Sequence, residues 1–266
     1  MKVWNHVVEL KKPDDVVKIY FLGDMHLGSK NSAKEELDQA IKDIIADKCE
    51  HKFFFGMGDI ADAITPKDKR YSFENTDAAY TFINDQYEYF EKYLMEMQKH
   101  GIRIGLHIGN HSNTFIRNTN TAFLNSISKR HGFMYFGFAA SHILSLRHQN
   151  KLIKKWRIFT THGASNSRTP GGAINALENM KKSFFQDCFI QGHNHRLSDD
   201  IETTLYQKNG HLVNRYEWLG NSGSFLRTYA ENTINYAEEK LYNPLVIGFL
   251  SGTFTKDRMF LSKHIY

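Results

Sequence analysis

Through its first two thirds this chain alternates apolar runs of strand length with stretches of helical period, which restricts it to α/β architectures built on a parallel or mixed sheet. VVKIYFLG at 16–23 reads as a strand. After it, Ser32 and Glu35 stand in capping-box spacing, and Leu37, Ile41, Ile44 and Ile45 share one helical face. KFFFGMG at 52–58 is the next strand, followed by a long amphipathic helix marked by Ile83, Tyr87, Phe90, Leu94 and Met97, which Gly101 can end. IRIGLHIG at 102–109, WRIFTT at 156–161 and DCFIQG at 187–192 supply further strands, with INALENMKKSFF as a helix between the last two. Beyond His195 the pattern changes. Asn209 and Gly210 sit between β-type runs as in a tight hairpin, and LVIGFLSGTF and RMFLSKHIY add more strand, so the C-terminal third contributes antiparallel strands. No internal repeat and no Pro/Gly/Ser-rich linker divides the chain, and residues 1–266 are expected to form one domain.

Composition excludes several classes. With 41% hydrophobic and 24% charged residues the chain is neither a disordered polyelectrolyte nor of low complexity. It has no apolar run of membrane-spanning length and no signal-peptide pattern at MKVWNHVVELKKPDD, so neither membrane insertion nor standard secretion is expected. Cys49 and Cys188 are too far apart for a thiolate metal motif, and a reducing cytoplasm is the expected compartment. A surplus of 34 Lys+Arg over 29 Asp+Glu is a mild bias toward anionic partners. The unusual count is 14 histidines.

Five of the strand-like runs end in a ligand-type cluster beside a glycine. These are Asp24 and His26 in GDMH, Asp59 in GD, Asn110 and His111 in GNH, His162 in HG, and His193 and His195 in GHNH. Carboxyl ends of strands are where open α/β sheets bind ligands, so five loops should converge on one site. Any one cluster alone is an ordinary turn or helix cap. Five together, all nitrogen and oxygen donors, point to a hard or borderline divalent cation. His51, His100, His131 and His148 read as surface or packing positions.

The ordered set GDMH, GDIAD, GNH, HG and GHNH resembles the calcineurin-like metallophosphoesterase superfamily over about two thirds of the chain, from Asp24 to His195. NSGSF at 221–225 looks like the Asn-x-Gly-Ser turn of compact members, and HGASNSRTPGGAIN resembles stand-alone phage and prophage versions. The resemblance implies an αββα sandwich, mixed sheets flanked by helices. It implies two divalent ions, Mn²⁺ first with Fe or Zn as alternatives: one held by Asp24, His26, Asp59 and His195, the other by Asp59, Asn110, His162 and His193. Asp59 would bridge. His111 matches the residue that protonates the leaving oxygen or stabilises phosphate charge, and Asp62 the acid that orients it. Ser112 departs from the pattern, standing where many members carry Asp or Glu.

The implied activity is phosphate-ester hydrolysis by a metal-activated hydroxide. Lys67, Lys69, Arg70, Arg117 and Arg168 lie in loops that could pair with phosphate oxygens, and Tyr71, Phe73 and Phe115 are interleaved with them. They favour a phosphodiester, DNA or another nucleotide ester, over a phosphomonoester. A metal-binding scaffold of the same fold is the alternative of another class.

Overall fold

The computed structural model describes residues 1–266 except 69, 70, 166, 168 and 231–235, so Lys69, Arg70 and Arg168 lie outside the described residues. In chain order the elements are β1 (Lys2–Glu9), β2 (Val17–Leu22), α1 (Lys34–Ala46), β3 (His51–Gly56), α2 (Ile83–Lys99), β4 (Arg103–His107), α3 (Asn110–Thr119), α4 (Phe123–His131), β5 (Met134–Gly137), β6 (Ala139–His148), β7 (Lys151–Thr161), α5 (Pro170–Lys181), β8 (Cys188–Gln191), β9 (Leu197–Lys208), β10 (His211–Ser224), α6 (Tyr236–Glu239), β11 (Gly248–Phe254) and β12 (Met259–Ile265).

The strands form two mixed layers. One runs β1-β6-β7-β8-β10, with β9 on the other side of β10; the second runs β5-β4-β3-β2-β11, closed by β12. They join where Gly223 and Ser224 of β10 pair with Phe249 and Gly248 of β11. The pairs β2–β3, β3–β4 and β4–β5 are parallel in one layer, and β7–β8 and β8–β10 in the other. The carboxyl ends that carry the polar clusters therefore lie along common edges.

Alternation along each strand builds the sandwich. Phe53 and Phe55 of β3 enter the core between the two sheets with Ile19 and Phe21 of β2, whereas Phe54, Tyr20 and Leu22 face the helices. All three β3 phenylalanines are fully buried, and each such burial contributes roughly 1.5–3 kcal/mol. Leu37, Ile41 and Ile44 of α1, Phe90 and Leu94 of α2, and Leu124 and Ile127 of α4 cover the outer face of the second layer. Leu177 of α5 packs on Phe159, Phe189 and Leu219 of the first. This is the expected α/β sandwich, helices outside and two mixed sheets within.

The start of α1 differs from the capping-box reading. The N-cap position is Ala33, which has no side chain to cap with, while Ser32 Oγ donates to the Met25 carbonyl at 2.8 Å. Ser32 thus ties the helix to the loop carrying Asp24 and His26. The Asn209-Gly210 turn closes the β9–β10 hairpin as read, with φ of 51° and 80°. Both cysteines are free, and no helix among the described residues is long and apolar enough to cross a membrane.

Candidate metal centre

Each cluster follows its strand by one to four residues, and the loops are stitched to one another before any side chain acts. Met25 and His26 donate their N–H groups to the Asp59 carbonyl at 2.9 and 3.1 Å, and Asp24 N–H reaches the Gly58 carbonyl at 2.9 Å. Ser224 Oγ and the Phe225 N–H both donate to the Asp24 carbonyl. Gly109 is required by close approach: a Cβ there would collide with the Asp59 carboxylate.

The backbone at the site is strained. Asp24, His26, Asp59, His193 and His195 adopt φ of 48°, 46°, 44°, 69° and 57°, a left-handed conformation that costs residues with a Cβ of order 1–3 kcal/mol each. Such strain persists only where surrounding structure imposes it, and here it falls on five of the seven candidate ligands.

The seven side chains converge. Ligand atoms of Asp24, His26 and His195 lie within 4.8 Å of one another, as do those of Asp59, His162 and His193, and a third grouping joins His26, Asp59 and His111. Asn110 enters through its side-chain oxygen, 3.0 Å from His162 Nε2. Among the described residues Asp24 Oδ1 has no hydrogen-bond donor, although it is fully buried and 3.5 Å from His195 Nε2; Oδ2 accepts from the His193 N–H at 2.8 Å. A buried carboxylate oxygen left in this way costs free energy unless a cation meets it.

The ring nitrogens tell the same story. His162 Nδ1 must donate to the Met57 carbonyl at 2.8 Å, so in the neutral ring its Nε2 lone pair faces two oxygens, Asn110 Oδ1 and Asp59 Oδ2 at 3.2 Å. That geometry needs a proton or a metal ion between them. Without a metal, burial would depress the His162 pKa, but the Asp59 carboxylate overrides it and raises it to about 9. Asp59 moves the other way: burial pushes it up, and the His162 and His111 rings pull it well below the usual carboxylate range. Desolvation lifts Asp24 to about 7. Burial and then His162 lower His193 to about 4, and burial with His26 holds His195 well below its ordinary value. His26 Nε2 and His195 Nε2 face each other at 3.3 Å, a contact satisfied when one ring donates its N–H to the other or when both nitrogens point at a cation. The donor set fits divalent cations that take imidazole and carboxylate together.

His111 and Asp62 sit beside this cluster in a different relation from the one implied by the sequence. The His111 ring is oriented by the main chain, Nδ1 donating to the Asp62 carbonyl at 2.6 Å. The Asp62 carboxylate is nearer to His26, 3.2 Å from Nδ1, than to His111 at 3.6 Å. The reason is local: the loop after Asp59 turns the Asp62 carbonyl toward α3 and its side chain toward His26. Ser112 is buried and hydrogen-bonded to Tyr87 of α2 at 2.7 Å, so it anchors α3 to its neighbour. Asn221 and Ser224 hold the site from behind: Asn221 Oδ1 accepts from Gln191 and from Asn194 between the two GHNH histidines, and the NSGSF motif was the signal for both.

A cavity of about 550 Å³ opens from His26, Asp59, Asn110, His111, His193 and His195, and extends past Asn31 and Asn75 to Tyr242 and Asn243. Arg196 and Arg227 line it, two cations that sequence reasoning missed because no motif surrounds them. Arg227 is engaged by Glu36 through Nη2 at 2.5 and 2.7 Å. Arg117 is exposed in the last turn of α3 and, like Lys67, Tyr71 and Phe115, is not among the lining residues; Phe115 is buried in the core.

An αββα sandwich with this ordered ligand set resembles a calcineurin-like metallophosphoesterase. No family model and no curated protein matches the chain. Among solved structures it is similar to a single-mutant Vps29 from Entamoeba histolytica, with 11% identity and a TM-score of 0.42 over 94% of this chain and 99% of that one. Wild-type Vps29 complexed with Zn²⁺ from the same organism gives 13% identity and a TM-score of 0.38 over 94% and 99%. A protein from Streptococcus pneumoniae described as a predicted phosphoesterase gives 13% identity and 0.33 over 94% and 98%.

Proposed function

We propose that the chain is a phosphoesterase working with two divalent ions, Mn²⁺ in the first instance, and that it hydrolyses phosphodiesters of the nucleotide class. The observation that carries the metal reading is the unpartnered, buried Asp24 Oδ1 among four imidazoles and the Asp59 carboxylate. Asp24, His26, Asp59 and His195 would hold one ion and Asp59, Asn110, His162 and His193 the other. Bound there, divalent ions supply Lewis acidity toward phosphoryl oxygens and a nucleophile at neutral pH.

The chain's own residues do the rest. Asp62 fixes the His26 ring through Nδ1, which leaves Nε2 for coordination. The Asp62 carbonyl fixes His111 through Nδ1, and Nε2 of that ring is assigned the proton delivered to the leaving oxygen.

The cavity suits an ester carrying a nucleotide-sized organic group. Its volume of about 550 Å³ is that of an organic ligand site and far exceeds what a phosphate ion needs. Its lining beyond the ligand cluster offers amides and hydroxyls from Asn31, Asn75, Thr76 and Asn243, groups suited to a sugar or a base. The test is a Mn²⁺-supplemented panel of para-nitrophenyl phosphate, its bis ester, cyclic nucleotides, and single- and double-stranded DNA. Faster turnover of diesters is expected. A wide preference for the monoester replaces this reading with a phosphomonoesterase, and metal binding without turnover of any ester replaces it with a scaffold.

A further inference from the structure

Three histidines outside the ligand cluster are buried together between the two sheets. His6 of β1 is 5% exposed, His142 of β6 and His107 of β4 are fully buried, and Thr160 of β7 lies among them, also fully buried. Phe53, Phe55 and Phe136 pack against the rings at centroid distances of 4.6 to 5.7 Å, so there is little but each other for the ring nitrogens to bond. In such surroundings every polar atom needs a partner.

One carbonyl determines the whole chain of donors. The Gly137 oxygen can only accept, so His107 Nδ1–H donates to it at 3.0 Å. The neutral His107 ring then has a bare Nε2, and the Thr160 hydroxyl donates to it at 2.6 Å. Thr160 Oγ1 accepts in turn from His142 Nε2–H at 2.6 Å, and His142 Nδ1 accepts from His6 Nε2–H at 3.1 Å. Burial keeps His6 at about 4 and His107 at about 3, and His142 well below its ordinary value, so all three rings are neutral near pH 7.

The relay crosses from one sheet to the other at the single atom Thr160 Oγ1. His107 lies three residues before Asn110, and Thr160 two residues before His162. The same turn that accepts from His107 also anchors β7, the Phe138 carbonyl taking the His162 N–H at 3.0 Å and the Thr161 hydroxyl at 2.9 Å. We propose that the Thr160–His107 bond is a positioning device, setting across the two sheets the spacing of Asn110 and His162 in the second ion's ligand set. The proposal rests on the metal reading above for its functional effect.

The test is Thr160→Val, which keeps the shape and removes the hydroxyl, beside Thr160→Ser, which keeps the hydroxyl. Calorimetric titration with Mn²⁺ should show one of two ions bound about ten- to hundred-fold more weakly by the valine variant, with the other ion unchanged and the serine variant close to wild type. Nitrogen NMR of the metal-free wild type should show His107 protonated on Nδ1 and His6 and His142 on Nε2, and the Asn110 amide and His162 ring signals should move in the valine but not the serine variant. A valine variant that loses only thermal stability while binding both ions normally overturns the proposal, as do other tautomers in the wild type. If the wild type binds no Mn²⁺ the metal reading fails by itself, and the Asn110 and His162 signals still decide whether the relay sets their spacing.

Discussion

Asp59 touches both halves of the ligand cluster: its main-chain carbonyl takes two N–H groups of the Asp24 loop, Oδ1 accepts from the His111 N–H, and Oδ2 faces His162. Asp59→Ala should lose both ions in a Mn²⁺ titration, whereas Asn110→Ala should weaken mainly one; equal two-ion binding without the Asp59 carboxylate would remove the bridging assignment. Asp24 carries a different expectation. Its pKa is raised by burial to about 7 from an ordinary 3.8, so in the metal-free protein it destabilises the fold increasingly as pH rises above 3.8, the full penalty being reached above 7. Asp24→Asn should therefore raise the melting temperature of chelator-treated protein at pH 8 and reduce the further rise that Mn²⁺ gives the wild type, the second ion still binding. For His111→Ala the metal should stay and turnover of an alkyl phosphodiester should fall about 10²- to 10⁴-fold, with a smaller loss on nitrophenyl esters, whose leaving group needs no proton. Asp62→Asn is expected to act through His26, weakening metal binding, because its carboxylate is the nearer partner of that ring.

At the scale of elements, the strand-to-loop transitions were legible because each pairs an apolar run with a glycine and a ligand-type residue, a pattern with few other physical explanations. The tight Asn209-Gly210 hairpin was legible for the same local reason. What escaped the pattern was set by tertiary context. β1 and β6 were not marked, since polar residues interrupt both runs, Asn5 exposed in β1 and Ser145 and Arg147 half-buried in β6, beside His6 and His142, whose burial only the opposite sheet explains. α3 begins at the candidate ligand Asn110 and is rich in Asn, Ser and Thr, weak helix formers held by the buried Ser112 and Phe115. The shared role of Asp62 was hidden because a main-chain acceptor leaves no trace in sequence. Two glycines separate these levels experimentally. Gly101 ends α2 at φ 73° with open space where a Cβ would stand, so Gly101→Ala should cost about 1 kcal/mol in urea unfolding and leave metal binding intact. Gly109→Ala, which drives a methyl into the Asp59 carboxylate, should instead impair metal binding out of proportion to any loss of stability.

For the molecule as a whole, the three relay histidines set an acid limit. Above pH 6.5 their rings are neutral in both the folded and unfolded chain and give no pH dependence. Below it the unfolded chain binds protons that the folded one refuses until about pH 4 for His6 and about 3 for His107, so stability should fall by about 1.4 kcal/mol per pH unit for each such ring. Arg103 of β4, the charged group facing His6, deepens the effect. Urea unfolding in chelator at pH 7, 6 and 5 measures the slope, and His6→Gln, which can still donate to His142, should reduce it. The layered architecture has a consequence in time as well. The candidate ligands are spread over the ends of β2, β3, β4, β7 and β8, strands of two sheets that must first form and then close on each other. No partial structure holds a complete set, so the ions can bind only after the main folding barrier is crossed, and contacts absent from a transition state act on the reverse rate. In stopped-flow measurements Mn²⁺ should leave the refolding rate nearly unchanged and slow unfolding, giving the loaded protein a long lifetime through slow escape from the native state.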